Sequence, residues 1–75
     1  MHNNEFHLNR AYSKRELAGF YNPCITEKSA VNTLMEWIKR NNKLYDELLD
    51  TGYRVRSRIF TPLQVNIIVH YLGRP

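Results

Sequence analysis

Apolar side chains recur along this chain at the 3.6-residue spacing of an α-helix, in four separate segments. The pattern predicts helices over Lys14–Tyr21, Thr26–Arg40 and Lys43–Thr51, and a last one that begins at Thr61 and ends before Gly73. The second segment is the longest. Its apolar stripe consists of Ala30, Val31, Leu34, Trp37 and Ile38. The large ring of Trp37 is therefore predicted to anchor the core.

The first and last of these helices begin with capping boxes. In a capping box, a hydroxyl side chain accepts a hydrogen bond from the third helical residue, whose own side chain reaches back to the cap. The first box pairs Ser13 with Glu16. The second pairs Thr61 with Gln64 and adds Pro62 at the first helical position. Both signals predict where a helix starts.

Two other segments alternate apolar and polar residues, as strands do. They are Phe6–Tyr12 and Tyr53–Phe60, which directly precedes the last helix. An isolated strand would leave its backbone groups unpaired, so we expect the two to form one sheet. In the second strand, Arg54, Arg56 and Arg58 would share one face.

The predicted order of elements is strand, three helices, strand, helix. This order indicates a mainly α (α+β) fold: a four-helix, helix-turn-helix-like domain with a small two-stranded sheet or wing. A chain of 75 residues holds one small core. We therefore expect a single domain over residues 6–75 and a disordered N-terminus over residues 1–5.

Charge is distributed unevenly along the chain, whose net charge is +4. Residues 1–50 hold seven basic and seven acidic side chains, whereas residues 51–75 hold four arginines and no acid. A neutral body with a basic end suits a protein that binds a polyanion. The same arginines could instead serve only to keep a small domain soluble.

No pattern in the sequence indicates an enzyme. The three histidines are scattered, Cys24 has no base at a recognisable spacing, and no glycine-rich phosphate loop is present. The single cysteine excludes an internal disulfide, and no metal-ligand spacing occurs. We therefore predict a non-catalytic protein without metal or cofactor. The lack of a signal peptide and of a long apolar run predicts a cytoplasmic protein with no membrane partner.

The first two predicted helices, joined by a short turn, follow the helix-turn-helix plan. In that plan the exposed first turns of the second helix enter a groove of DNA. Here those turns would offer Glu27, Lys28, Ser29, Asn32 and Thr33, and of these Lys28, Ser29 and Asn32 are the predicted nucleic-acid-binding residues. Any small helical bundle contains such a helix pair, so the plan alone is compatible with other functions.

Three segments follow one another in an order that is found in DNA-binding domains. They are "KRELAGFY", a helix end "MEWIKRN" and the junction "GYRVRSRIFTPLQV". This order resembles the MerR and excisionase group of winged helix-turn-helix proteins. The resemblance implies that Lys28 and Asn32 face bases, while Arg54, Arg56 and Arg58 lie along phosphates. On a strand, alternate residues are ~6.6 Å apart, which is close to the phosphate repeat of DNA.

A second resemblance covers nearly the whole chain. It is carried by "YSKRELAGFYNP" at residues 12–23, "WI" at 37 and 38, "TGY" at 51–53 and the terminal "FTPLQVNIIVHYLGRP". These motifs resemble a family of short bacterial proteins catalogued as domain of unknown function 4248. The resemblance implies a small free-standing protein and assigns no activity.

Two functions therefore stand as hypotheses. The first is a nucleic-acid-binding module, with DNA favoured over RNA as the partner, that regulates transcription. The second is a module for protein–protein interaction or oligomerisation, with a homodimer or a protein partner, in which like-charged arginines only keep strand edges apart. The lack of acidic residues in the last third of the chain favours the first hypothesis.

Overall fold

The computed structural model describes residues 5–75 and places the elements in the predicted order. The elements are β1 (Tyr12–Ser13), α1 (Lys14–Tyr21), α2 (Glu27–Arg40), α3 (Asn42–Asp50), β2 (Ile59–Phe60) and α4 (Pro62–Leu72). The fold is mainly α with a small antiparallel sheet, so the predicted fold class is confirmed. The predicted disordered terminus lies, except for residue 5, outside the described residues.

Both capping boxes form, and each joins the end of a strand to the start of a helix. The Glu16 amide donates to Ser13 Oγ at 3.0 Å, and the Ser13 amide donates to Glu16 Oε1 at 2.9 Å. The corresponding distances between Gln64 and Thr61 are 3.2 and 2.9 Å. Each box satisfies two backbone amides that would otherwise lack a partner. The boxes therefore fix the direction in which α1 and α4 leave the sheet.

The two predicted strands pair, but over two residues each. Tyr12 lies opposite Phe60 and Ser13 lies opposite Ile59 in an antiparallel register. The sheet therefore uses only the last residue of the first predicted strand and the last two residues of the second. Its role is to bring the start of α1 beside Arg58, whose carbonyl accepts a hydrogen bond from the Lys14 amide.

The segment before β1 is not a strand, so the prediction over Phe6–Tyr12 is wrong for most of its length. At Asn9 the backbone φ angle is +60°, in the left-handed region, which interrupts an extended chain. The Asn9 amide donates to Asn66 Oδ1 at 3.1 Å, and Asn66 Nδ2 donates to Asn9 Oδ1 at 2.7 Å. These bonds hold the segment against α4, away from the second strand.

The core lies where the four helices and the sheet meet. Its members are all at most 2% exposed: Tyr12, Leu17, Ala18, Ala30, Leu34, Ile38, Leu44, Leu48, Tyr53, Phe60, Val65 and Ile68. One polar side chain, Gln64, is also buried, at 5% exposure. It is satisfied because its Oε1 accepts from Thr61 and its Nε2 donates to Thr51 Oγ1 at 2.8 Å. This link ties the end of α3 to the start of α4.

Trp37 does not belong to the core, contrary to the prediction. Its side chain is 37% exposed, and its ring meets Tyr21 edge-on with centroids 6.1 Å apart. Neighbouring residues differ by about 100° around a helix axis. Leu34 and Ile38 are fully buried and mark the centre of the apolar stripe of α2, so Trp37 lies at the edge of that apolar stripe.

Candidate nucleic-acid interface

The three arginines after α3 lie on a turn and not along one face of a strand. The Ser57 amide donates to the Arg54 carbonyl at 2.9 Å, and the Arg54 amide donates to Ser57 Oγ at 3.4 Å. The strand predicted over Tyr53–Phe60 is therefore confirmed at Ile59 and Phe60 but wrong before them, and the predicted row of arginines at strand spacing is wrong too. We call residues 54–58 the arginine loop.

Core packing at both ends of the loop explains this turn. Tyr53 and Phe60 are both buried, and their rings stack with centroids 5.5 Å apart. A fully extended chain would separate residues seven positions apart by about 23 Å. The chain between the two rings must therefore fold back on itself. Val55, which a regular strand would place on the same face as the buried Tyr53, is consequently 52% exposed.

Arg54, Arg56 and Arg58 are all exposed. Within residues 5–75, no carboxylate forms a salt bridge with any of them. A guanidinium group presents five donors in a planar fork that matches phosphate and carboxylate oxygens. The arginine loop thus offers three uncompensated charges within five consecutive residues.

Lys14, at the start of α1, holds the arginine loop in place. Its Nζ donates to the Val55 carbonyl at 2.8 Å and lies 5.2 Å from the centroid of the Tyr53 ring. Its backbone amide donates to the Arg58 carbonyl at 2.9 Å. Partial burial lowers the pKa of the Lys14 ammonium, and the positive charge of Lys39 lowers it further. Positive charge therefore continues from the loop, through α1, to α2.

The predicted groove-facing residues of α2 are exposed near its N-terminus, as expected: Lys28, Ser29 and Asn32. Lys28, Asn32 and Lys39 share one side of the helix, because residues four, seven or eleven positions apart return to similar angles. Ser29 lies about 100° from Lys28 and is off this stripe. Lys28, Asn32 and Lys39 therefore form one exposed stripe, which we call the α2 stripe. It contains two of the three predicted residues and adds Lys39.

A groove of about 740 Å³ separates the arginine loop from α2. Lys14, Val31 and Arg58 are among its lining residues. Glu27 also lines the groove, where its carboxylate lies 3.6 Å from a guanidinium nitrogen of Arg15. Of the six predicted site residues only Arg58 lines this groove. The structure therefore gives two neighbouring basic surfaces and not one continuous pocket.

Two basic residues of this interface, Lys14 and Lys39, are not found by sequence reasoning. Lys14 lies inside the capping sequence "SKRE", where it looks like an ordinary first-turn residue. Lys39 lies in the last turn of α2, where a cation offsets the helix dipole. The closeness of Lys14 to the loop depends on strand pairing between distant segments, and that of Lys39 to Lys14 on the packing of α1 against α2. No local pattern reveals either.

The pH dependence of stability should report on the core beneath the loop. Burial, with a smaller effect from Tyr45, raises the pKa of Tyr53 to about 12, and burial raises that of Tyr21 to about 12. In the unfolded chain the pKa is about 10. Because the folded protein resists ionisation of these phenols more than the unfolded chain does, their contribution to the unfolding free energy is complete below pH ~10. It is lost as the pH rises towards 12.

Urea unfolding at about pH 8, 10 and 11.5 should therefore show a small loss of unfolding free energy in the first step and a much larger loss in the second. Tyr53→Phe should lose less unfolding free energy between about pH 10 and 11.5 than the parent, because one of the two shifted tyrosines is removed. The same loss in parent and variant would show that Tyr53 does not resist ionisation.

The surface and fold together define a small, mainly helical domain in which a basic loop lies across a groove from the second helix. Over residues 5–75, no helix is both long and apolar enough to span a membrane. Across the same residues, no three His, Cys, Asp or Glu side chains are grouped so that they could hold a metal ion.

Residues 8–75 match the family model described as Domain of unknown function (DUF4248), and the chain belongs to that family. The predicted family membership is thus confirmed. No curated protein matches the chain, and no solved structure matches it. The likeness to the MerR and excisionase group stays a prediction.

Proposed function

We propose that this protein is a small non-catalytic module that binds duplex DNA through the arginine loop and the exposed stripe of α2. One observation carries the proposal: three exposed arginines lie on one loop without a salt bridge among residues 5–75. Contacts between cationic side chains and phosphates supply most of the affinity in non-specific DNA binding.

The way the loop is held supports this role. Two hydrogen bonds from Lys14 fix the loop backbone at Val55 and Arg58. A loop that is ordered before binding loses less conformational entropy when its side chains contact a ligand. The charge of Lys14 itself adds to the positive field near the loop.

The α2 stripe would supply sequence selectivity. Only contacts to base edges distinguish one sequence from another, whereas phosphate contacts position the protein. Asn32 can form paired hydrogen bonds with adenine, and Lys28 can donate to guanine. By likeness to winged helix-turn-helix proteins, the module would act in transcription regulation.

A protein-binding surface is a second candidate, favoured by two apolar residues beside the arginines. Val55 is 52% exposed and Ile59 is 59% exposed. Exposed apolar side chains within a polar rim are typical of protein interfaces. Binding by apolar contact would depend little on salt, so salt dependence separates the two candidates.

The direct test is a fluorescence anisotropy titration against labelled random duplex DNA, single-stranded DNA and RNA of equal length. We expect the duplex to bind most tightly and its affinity to fall steeply as salt increases. Equal affinity for all three would point to a phosphate surface without groove recognition. No salt-dependent binding to any of them would favour the protein-binding candidate.

Selection of binding sequences from a random duplex pool should test the α2 stripe. Lys28→Ala and Asn32→Ala should each reduce the binding preference for the contacted base over the other bases by about 1–3 kcal/mol. Arg74→Ala, which also removes one exposed cation, is the matched control and should keep the parental preference. Identical preferences for all three variants would show that α2 does not face the bases.

A further inference from the structure

A second exposed surface lies on the side of α2 opposite the DNA surface proposed above. Trp37 follows Lys28 by nine positions, which places the two about 180° apart around the helix. Trp37 lies in a shallow groove of about 510 Å³. The lining residues of this Trp37 groove are Trp37, Arg40, Asn41, Asn42, Lys43 and Leu72. A large ring that is only partly covered suits a contact surface, because Trp combines a wide apolar face with a polar edge.

The charges of the Trp37 groove are all positive. Arg40 and Lys43 are its only charged lining residues, and both are exposed. Arg40 lies 3.7 Å from Glu36, one helical turn away, and such solvated pairs are weak. A complementary occupant would place an apolar side chain on the indole and carboxylates at the rim.

The chain itself presents such a segment on α3. Leu49 is 44% exposed, and Asp46 and Asp50, on either side of it in sequence, are exposed too. Residues three and four positions apart are neighbours on a helix, so the three side chains form one patch. Throughout residues 5–75, neither aspartate pairs with a basic side chain. We call this the α3 acidic patch.

We propose that two copies of this chain form a symmetric dimer in which the α3 acidic patch of each copy occupies the Trp37 groove of the other. In a twofold interface every contact occurs twice, so a chain that carries both complementary surfaces closes into a dimer. The proposal rests on the opposite charges of the two surfaces and on the exposed apolar side chains of Trp37 and Leu49, and it is independent of DNA binding.

An antiparallel pairing of the two α3 helices satisfies both contacts in one register. The twofold axis would cross α3 at the height midway between Leu44 and Tyr45. Lys43 of each copy then lies opposite Asp46 of the other copy. Leu49 lies about 4.5 Å beyond Asp46 along the helix axis. It then extends past the N-terminal end of the other α3, which begins at Asn42 and borders the Trp37 groove. The α2 stripe lies on the opposite side of α2 from Trp37 and stays outside this interface, so the dimer would present two copies of it.

Sedimentation equilibrium and Trp fluorescence test this dimer between about 10 µM and 1 mM of the parent chain. The parent should shift from monomer to dimer over this range. Trp37 is the single tryptophan, so its emission should move to shorter wavelength as the dimer forms. A parent that stays monomeric with unchanged emission at 1 mM would overturn the proposal.

Charge reversal locates the interface. The groove variant Arg40→Glu with Lys43→Glu and the patch variant Asp46→Lys with Asp50→Lys should each dimerise at least about tenfold more weakly than the parent. A mixture of the two should dimerise again, and so should one chain with all four changes, because opposite charges then face each other. The pair Lys28→Glu with Arg54→Glu changes the net charge as much as the groove variant, and should dimerise like the parent.

Each variant should unfold cooperatively in a thermal scan monitored by circular dichroism, because all the changed residues are exposed. Failure of the four-change chain to recover the dimer would overturn the pairing of these two surfaces. Weakening by the Lys28 and Arg54 pair to the same degree as the groove variant would also overturn it, because net charge alone would then control association.

Discussion

Phe60→Ala is expected to lower the free energy of unfolding by about 3–5 kcal/mol. The side chain is fully buried, it stacks on Tyr53, and it lies opposite Tyr12 in the sheet. Small domains have total stabilities near the lower end of about 5–15 kcal/mol, so this loss would leave a large unfolded fraction. Urea unfolding monitored by circular dichroism measures it directly.

The matched control is Trp37→Ala, which removes a larger ring from a partly exposed position. Because 37% of Trp37 is already accessible to water, we expect a loss of no more than about 2 kcal/mol. A loss from Trp37→Ala as large as that from Phe60→Ala would place the indole in the core after all. Equal and small losses from both would contradict the packing around β2.

The second large effect concerns the arginine loop. Replacing Arg54, Arg56 and Arg58 together with alanine should weaken duplex binding about 10²–10³-fold near 0.1 M salt, if each arginine neutralises one phosphate. The melting temperature should barely change, because exposed charges contribute little to stability. Anisotropy titrations at constant salt give the affinity, and thermal unfolding gives the stability.

Arg10→Ala combined with Arg74→Ala is the control for charge alone. Each of these guanidinium groups lies over an aromatic ring, Arg10 over Tyr12 at 4.7 Å and Arg74 over Phe6 at 5.7 Å. Neither residue belongs to the loop, so the loss of affinity should be much smaller than for the triple variant. An equal loss per charge removed would show that the net charge, and not the loop, controls binding.

Helix limits could be predicted from the sequence because their causes are local. α1 has the predicted limits, and α3 begins and ends one residue before its predicted range of Lys43–Thr51. The caps at Ser13 and Thr61 act on amides three residues away, so a short stretch of sequence contains all the information. Gly52, with φ at +91°, ends the third helix by the same local rule.

The conformation of residues 53–60 could not be predicted, because its cause is a long-range contact. Alternation favours a strand there, but the stacking of Tyr53 on Phe60 requires a turn between them. In the same way, the bonds between Asn9 and Asn66 connect residues 57 positions apart and replace the predicted first strand. Local pattern is overridden wherever distant side chains decide the backbone.

The sequence was sufficient to predict which basic residues of the candidate site are exposed, but not how they are arranged in space. The exposure of the loop arginines and of Lys28 and Asn32 agrees with the sequence pattern. The hold of Lys14 on the loop depends on the pairing of β1 with β2, which brings α1 beside residues 55–58. The prediction that Trp37 is a core residue failed for a related reason. A helical period identifies the apolar stripe of a helix, but it does not reveal which edge of that stripe other elements leave exposed.

The most direct measurement for the central proposal is the slope of log K against log salt for random duplex DNA, from about 0.05 to 0.4 M, in the parent and the triple arginine variant. If the arginine loop contacts phosphates, the parent should show the steeper slope, and the difference should be about 2.7, or about 0.9 for each arginine. Parallel slopes for the two proteins, or a parent that does not bind duplex DNA at the lowest salt, would contradict DNA binding through the loop.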